Sequence, residues 1–405
     1  MLRLLQCAAA FQSPLHKRQV ALSFHPSLTE YERAFASIDA DGGATSTASR
    51  RITDTTKVDK LTLPLVGAGD QEPITLVPIS RNPVVLRTSA PILTSQEECD
   101  AVAAFFEYMA DGASANANND DQDSSEPDNE LLERGAELFQ FLQRTINELV
   151  GGSNDDTESA LPRFLTYDPQ DPPIGGSAPT CDELLPDGLH VDNNNGMHFR
   201  YMTVLFYLTS NNSGATTFPL ATPLSREDVD GRDLTSTSTT FATSATKDME
   251  VSAQELIESG IYHTRGHHHD KLRGGETEQS TQTATALDII EHAAVDLFQS
   301  QNQGGQRTSS HGRGIRVLPE AGYACAFLNL DESGCPDPLA FHGGESLLDV
   351  WGDGKQKKQK KLLTFFREVP VQEFKTRDDF VEKANGRRDE ILQRYFLQHR
   401  HGQHQ

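Results

Sequence analysis

The chain has 405 residues, of which 36% are hydrophobic, and its mean hydropathy is −0.52. This length allows one large domain or two ordinary ones, and the many polar tracts favour one folded domain with long loops. The formal net charge of −23 argues against nucleic-acid binding, which needs a basic surface, and against adsorption to anionic membranes. No apolar stretch approaches the roughly 18 to 20 residues that a membrane span needs.

The N-terminal segment and the cysteines bear on the compartment. The five cysteines are dispersed and form no CxxC pair, which is typical of reduced thiols inside a cell. The segment contains Arg3, Lys17 and Arg18 and no acidic residue before Glu30, so it resembles a basic organelle transit peptide. An unstructured cytosolic tail is the alternative. We therefore expect an intracellular protein, cytoplasmic or organellar, in which residues 1–80 form a disordered or targeting region.

Two helices are predicted at the start of a folded region that spans residues 81–370. A short apolar run near residue 85 indicates a strand, and Thr94, Ser95 and Glu98 then form a capping-box pattern. Apolar residues recur at helical spacing up to Met109 and again over residues 131–150, where Gly151 and Gly152 provide a stop signal. We expect both helices, within residues 90–150, to pack on one face of a sheet.

Strand patterns dominate residues 160–223 and 314–370, which we predict to form a β core. Between them, residues 224–313 are rich in Ser, Thr, Gln and Gly, and only 286–298 has a helical pattern. We interpret this segment as a long, mostly disordered insertion. Residues 371–405 are expected to form a charged C-terminal helix and a tail. The predicted class is α+β, mainly β: an antiparallel sandwich or barrel with helices on one side.

The segment of residues 189–196 (LHVDNNNG) is the most informative in the chain. It places His190 and Asp192 two residues apart, immediately before the apolar run that begins at Arg200. On a strand these two side chains share one face, because strand side chains alternate with period two. An imidazole and a carboxylate are two of the three ligands of the 2-His-1-carboxylate triad that holds non-haem Fe(II).

A second histidine is needed to complete such a triad. The candidates after Asp192 include His198, His263, His267, His268, His269, His292, His311 and His342. A metal ligand has to be held rigidly, which disfavours the histidines of the polar insertion. His292 is expected on a surface helix. His342 ends a strand-rich block and is the preferred ligand, although only a closed fold can bring it to Asp192.

Several short motifs, in this order along the chain, resemble those of prolyl 4-hydroxylase type 2-oxoglutarate/Fe(II)-dependent dioxygenases. They are ILTSQEEC at 92–99, HVDN at 190–193, Arg200 with Tyr207-Leu208, GATTFP at 214–219, VLPEAGYACAF at 317–327 and HGG at 342–344. The HVDN motif resembles the oxygen-sensing prolyl hydroxylases more than the collagen ones. The resemblance covers roughly residues 90 to 370, interrupted by the insertion, and Ala215 replaces a glycine of the family pattern.

The resemblance implies a double-stranded β-helix, of the jelly-roll or cupin-like kind, with iron held by His190, Asp192 and His342. It also implies a basic residue that pairs with the distal carboxylate of 2-oxoglutarate on the strand after His342. Lys360 and Thr364 fit the spacing of that strand, and Tyr207 is implied as a further 2-oxoglutarate contact. The segment after His342 is longer than in the family, so Lys355 and Lys361 remain alternatives to Lys360.

The activity implied by the resemblance is hydroxylation of a C–H bond, coupled to conversion of 2-oxoglutarate to succinate and carbon dioxide. Fe(II), 2-oxoglutarate as co-substrate and L-ascorbate are the implied cofactors. The implied substrate is a peptidyl proline in a protein or peptide, and a small molecule is the alternative. Two other readings stay open: a catalytically inactive binding protein with the dioxygenase fold, and a zinc hydrolase that uses the same ligands. The sequence does not specify the oligomeric state.

Overall fold

The computed structural model describes residues 73–115, 129–151, 162–169, 179–193, 199–224, 244–265, 278–302, 313–347 and 359–397. The strands are β1 (Leu76–Ser80), β2 (Val85–Thr88), β3 (Arg163–Tyr167), β4 (Arg200–Tyr207), β5 (Thr216–Phe218), β6 (Ile315–Val317), β7 (Ala324–Leu328), β8 (Gly343–Gly344) and β9 (Lys360–Glu368). The helices are α1 (Gln96–Ala115), α2 (Asn129–Val150), α3 (Cys181–Leu184), α4 (Ser244–Glu258), α5 (Glu278–Asn302) and α6 (Arg377–Leu392), with 3₁₀ turns at Pro338–Ala340 and Val371–Glu373 and a π turn at Gln393–Leu397.

The main sheet has six strands in the order β1-β2-β7-β4-β9-β3, and each neighbouring pair is antiparallel. Strand β4 lies inside this sheet, and all of its residues after Arg200 are buried. A strand covered on both faces has a continuous apolar run instead of a clean alternation. This explains the pattern of residues 201–208, and the strands predicted for the β core are confirmed.

The second sheet has three strands in the order β6-β5-β8, again antiparallel. It packs against one face of the main sheet, which we call the inner face. The apolar side chains between the two sheets are Val85, Leu205, Tyr207, Phe218, Ile315, Val317, Cys325, Phe327 and Leu362. The rings of Phe218 and Phe327 meet edge to face at 5.0 Å between centroids. The two sheets therefore enclose a shared interior.

Helices α1, α2 and α6 cover the opposite face of the main sheet, which we call the outer face. The Ser95 hydroxyl accepts a hydrogen bond from the Glu98 backbone N–H, and the Glu98 carboxylate accepts one from the Ser95 N–H, so the predicted capping box is confirmed. Phe139 of α2 lies between Phe106 of α1 and Phe365 of β9, at 5.0 and 6.4 Å. The predicted placement of the early helices on one side of the sheet is confirmed.

The prediction of a mostly disordered insertion is wrong for two segments of residues 224–313. Helices α4 and α5 lie there, with 15 and 25 residues, whereas only residues 286–298 had been expected to be helical. Their buried faces form a separate apolar cluster together with Leu189 and Val191, the neighbours of His190. The polar composition concealed these helices because many of their buried positions carry small residues, such as Ala253.

Two further expectations need correction. The region expected to be disordered or targeting, residues 1–80, includes β1, which alternates buried and half-buried residues and pairs with β2. The folded region therefore begins earlier than predicted. The described residues also contain more helix than strand, so the class is mixed α+β instead of mainly β. Within the described ranges, no helix combines the length and apolar character needed to cross a bilayer.

Candidate metal centre

His190, Asp192 and His342 converge, and one ligand atom from each lies within 4.8 Å of the others. The backbones of His190 and His342 form an antiparallel bridge, with N–H to O=C distances of 2.8 and 2.9 Å in the two directions. Cross-strand neighbours project to the same face of a sheet. Their Nε2 atoms accordingly lie 3.5 and 3.7 Å from the two carboxylate oxygens of Asp192.

His342 is held firmly. Its Nδ1 lies 3.0 Å from the carbonyl oxygen of Ala340, so Nδ1 donates and the Nε2 lone pair faces Asp192. The ring contacts Phe218 and Phe327, with centroids at 5.3 and 4.5 Å. A hydrogen bond that fixes the tautomer and the ring plane is the usual support of a metal-binding histidine.

Asp192 is held by a chain of buried hydrogen bonds. The Thr203 hydroxyl donates to Oδ2 of Asp192 at 2.6 Å, and the Asn329 amide donates to the Thr203 oxygen at 2.9 Å. The guanidinium of Arg200 donates to the Asp192 carbonyl at 3.1 Å and stacks on the ring of Phe366. These contacts fix the backbone and one carboxylate oxygen, and they leave Oδ1 directed toward His190.

The protonation states suit a divalent cation. Burial opposes ionisation of Asp192, but His342, His190 and the Thr203 hydrogen bond together hold its pKa well below the usual range. Burial lowers the pKa of His342 to about 4, with a further contribution from His190 and an opposing one from Asp192. At neutral pH the site therefore offers an anionic carboxylate and a neutral imidazole, the forms in which these side chains bind metals.

Lys360 and Thr364 lie on the inner face of β9, and Tyr207 lies on the inner face of β4. The Lys360 ammonium is buried, donates to the carbonyl of Gly214 at 2.7 Å and lies 5.3 Å from the centroid of the Tyr167 ring. The Tyr207 and Thr216 hydroxyls are 3.0 Å apart. The Thr364 hydroxyl is buried and has no hydrogen-bond partner among the described residues. These three predicted residues lie on the inner faces of their strands, toward the interior that also contains the His190, Asp192 and His342 group.

The neighbouring lysines Lys360 and Lys361 of β9 point to opposite faces of the sheet. Lys361 points to the outer face, where its ammonium lies 2.6 Å from the carboxylate of Glu107 on α1. Lys360 points inward, and burial lowers its pKa to about 8, opposed by Glu345. Glu345 is itself paired with Arg316 at 2.5 Å. Lys355 lies outside the described residues.

The other histidines take different positions. His263 forms a backbone bridge with His190 on the side opposite to His342, and it does not belong to the group that could hold a metal. The prediction that His263 is not a metal ligand was based on its place in a disordered insertion. That reason is wrong, because His263 lies in an ordered part of the chain beside His190. His292 is exposed on α5, as predicted. The remaining histidines of the earlier set, His198, His267, His268, His269 and His311, lie outside the described residues.

Several supporting residues were not predicted from the sequence. Thr203 and Asn329 orient the carboxylate, and Glu345 with Arg316 forms a buried ion pair near Lys360. The sequence marks two of these residues as polar side chains at apolar positions. Thr203 interrupts an apolar strand, and Arg316 lies between two buried apolar residues. Neither signal identifies the partner, which is distant in sequence.

A comparison with protein-family models found no match to this chain, and a search of curated proteins found no significant one.

Proposed function

We propose that the protein is an Fe(II)- and 2-oxoglutarate-dependent dioxygenase of the prolyl 4-hydroxylase type, built on a double-stranded β-helix. One observation carries the proposal. A His-Asp-His group and a buried, inward-pointing lysine lie in the same interior between two antiparallel sheets. A metal site alone would suit many activities, and a lysine alone would be a costly buried charge. Together, the metal site and the lysine suit an α-keto dicarboxylic acid. The metal would bind its keto acid end, and the lysine would pair with its far carboxylate.

The donor set fits Fe(II). Two imidazoles and one carboxylate on one side of an ion leave its other positions open, which is the arrangement of non-haem iron oxygenases. Bound iron would supply the activation of dioxygen that couples 2-oxoglutarate decarboxylation to C–H hydroxylation. The chain's own residues hold the ligands in place: Ala340 fixes the His342 ring, and Thr203 fixes the Asp192 carboxylate. Ascorbate, which the sequence resemblance implies, would keep the iron reduced.

The polar groups on the inner face fit 2-oxoglutarate. An ammonium has three donors, and Gly214 accepts one from Lys360, so the remainder is available to a carboxylate. The buried Thr364 hydroxyl needs a partner, and a bound anion would provide one. Tyr207 stays protonated because burial raises its pKa, so it can donate a hydrogen bond to an anion. Glu345 favours the charged form of Lys360, and its own carboxylate is paired with Arg316.

The substrate approaches from the side of His190. The His190 side chain is 27% exposed, whereas those of Asp192 and His342 are 9% and 6% exposed. The Lys360 ammonium is buried, with Tyr167 and Gly214 beside it. We therefore place the primary substrate, a peptidyl proline, at the open side. A small-molecule substrate would use the same opening.

The test measures succinate formation and metal binding in the purified chain. With Fe(II), ascorbate and 2-oxoglutarate, we expect slow uncoupled formation of succinate that a hydroxylatable peptide accelerates. His190→Ala and Asp192→Ala should abolish both succinate formation and Fe(II) binding. His292→Ala is the matched control, because His292 is exposed on α5 and away from the site.

Three results would contradict the proposal. A chain that binds neither Fe(II) nor 2-oxoglutarate is not a dioxygenase. Binding of 2-oxoglutarate without any turnover would show an inactive binding protein. Activity with Zn(II) that requires no 2-oxoglutarate would show a hydrolase.

A further inference from the structure

We propose that His263 is a positioning residue for the metal ligand His190, delivered to the site by the helical segment that contains α4 and α5. The inference rests on the proposed metal centre and deepens it. His263 lies in the part of the chain that interrupts the dioxygenase motifs, so the segment would form one side of the site instead of a passive insertion.

The backbone places His263 beside His190. His190 forms one antiparallel bridge with His342 and another with His263, so it lies between them. The Val191 N–H donates to the Tyr262 carbonyl at 3.0 Å, and the Thr264 N–H donates to the Leu189 carbonyl at 2.7 Å. Directly opposed residues in adjacent strands project to one face. The three imidazoles consequently form a row on the same side.

His190 lacks the support that His342 has. Its Nδ1 is buried and has no hydrogen-bond partner in the part of the chain that the structure describes. Its ring instead lies between two others: His342 at 4.5 Å between centroids and His263 at 5.4 Å, the latter nearly parallel with planes at 16°. Packing therefore takes over the orienting task that a hydrogen bond performs for His342. Loss of the His263 ring would leave one side of His190 uncovered.

His263 is itself fixed, and it supports the site without being a ligand. Its Nδ1 accepts a hydrogen bond from the Arg265 backbone N–H at 2.9 Å, which occupies that ring nitrogen. The group of metal-ligand atoms comprises only His190, Asp192 and His342 among the described residues. A ring held in place beside a ligand, and not in the ligand group, can restrict the rotation of that ligand.

The helices α4 and α5 anchor the strip that carries His263. Tyr262 is fully buried in the apolar cluster that both helices form with Leu189 and Val191. The Thr264 hydroxyl accepts from the Leu189 N–H at 2.9 Å. The Arg265 guanidinium lies 2.5 Å from Asp182 of α3 and 3.6 Å from buried Glu291 of α5. The helical segment is thus fastened on both sides of His263.

Cobalt(II) is the probe for the test, because it binds nitrogen and oxygen ligand sets and its visible absorption reports their geometry. Cobalt(II) is titrated into the full chain without 2-oxoglutarate. Two variants separate the ring from its hydrogen bond. His263→Asn retains an acceptor for the Arg265 N–H and removes the ring, whereas His263→Phe retains a ring and removes the acceptor.

We expect His263→Asn to weaken cobalt(II) affinity about tenfold or more, within the range for lost outer supports of metal ligands, and to change the absorption bands. His263→Phe should bind cobalt(II) within about threefold of the wild type, because a ring still covers His190. Thermal unfolding of both apo variants, followed by circular dichroism, establishes that each is folded.

The outcomes distinguish this inference from the proposed function. If the wild type does not bind cobalt(II), or His190→Ala binds it equally well, the proposed metal centre itself fails. If His190→Ala abolishes binding and His263→Asn leaves affinity and spectrum unchanged, the positioning role is overturned. The positioning role is also overturned if His263→Phe and His263→Asn weaken cobalt(II) binding equally, because the ring at position 263 would then contribute nothing.

Discussion

The two faces of the main sheet differ in what they bury. On the outer face, under the helices, strands β4 and β9 place mainly apolar side chains, such as Val204, Phe206, Leu363 and Phe365, and buried Arg367 is hydrogen-bonded to Asn147 of α2. On the inner face, toward the small sheet, the same strands place Thr203, Tyr207, Lys360 and Thr364 among apolar neighbours. Alternation along a strand assigns successive residues to opposite faces. One pair of strands thus serves two purposes.

The outer face of the main sheet adds to the stability of the fold, whereas the polar groups on its inner face reduce it. Burial of apolar area on the outer face stabilises the fold at about 25 cal/mol per Å². Burial of an ammonium or an unpaired hydroxyl on the inner face opposes folding. The lowered pKa of Lys360, about 8 because of burial, is a direct sign of that cost. Polar groups retained at a stability cost indicate a ligand that they bind.

The largest effect is expected from a truncation on the outer face. Phe365→Ala removes a buried ring that packs on Phe139 of α2, and it should lower the free energy of unfolding by about 3–5 kcal/mol. Chemical denaturation at 25 °C measures this loss. At a temperature where the variant is folded, its KM for 2-oxoglutarate should match the wild type. A large change in KM with little loss of stability would remove the distinction between the faces.

On the inner face, Lys360→Met should raise the KM for 2-oxoglutarate about 100-fold, since a buried charge-assisted pair is lost. Steady-state kinetics with succinate detection measures the change. Methionine retains much of the side-chain volume, so a void does not explain the result. An unchanged KM would show that another residue binds the distal carboxylate.

The same Lys360→Met variant should be more stable than the wild type at pH 7 without ligand. The folded-state pKa of Lys360 is lowered from 10.5 to about 8, so the unfolded chain binds the lysine proton more tightly between these values. Wild-type stability should therefore rise relative to the variant as pH increases from 8 to 10.5. Denaturation midpoints at pH 7 and pH 10 test the sign. A variant less stable than the wild type at pH 7 would contradict it.

Thr203→Val tests the hydrogen bond that orients Asp192. Loss of the hydroxyl removes its donation to Oδ2, so we expect cobalt(II) affinity to fall about tenfold. Thr217→Val is the matched control: its hydroxyl is also buried, but it has no hydrogen-bond partner among the described residues. Equal effects of the two substitutions on cobalt(II) affinity would mean that the Asp192 contact is unimportant.

Much of the site follows from local sequence patterns. The HxD spacing put His190 and Asp192 on one face, and the period of two put Lys360 and Thr364 on the same side of β9. Local geometry is enough for these inferences, because the residues are neighbours on one segment. The pairing of His190 with His342 needed the motif order as well, since it joins distant segments.

The helical segment shows where sequence patterns fail. The buried positions of α4 include Met249, Ser252, Ala253 and Leu256, which have helical spacing, but Ser252 and Ala253 add little apolar character. Averaged over residues 224–313, that weak signal resembles a polar loop. The bridge between His263 and His190 depends on how α4 and α5 pack, which is a tertiary event. Composition could not reveal it.

The smallest expected effect tests the phase of β9. Lys361→Met removes an exposed-side ion pair with Glu107, and such pairs contribute about 0–1 kcal/mol. Stability should therefore change by less than that, and the KM for 2-oxoglutarate should remain that of the wild type. The neighbouring Lys360 differs only in the face to which it points, so the two variants are matched in chemistry and in position along the strand. If Lys361→Met raised the KM and Lys360→Met did not, β9 would be shifted by one residue in solution. Every inner-face assignment on that strand, including Thr364, would then move to the helix side.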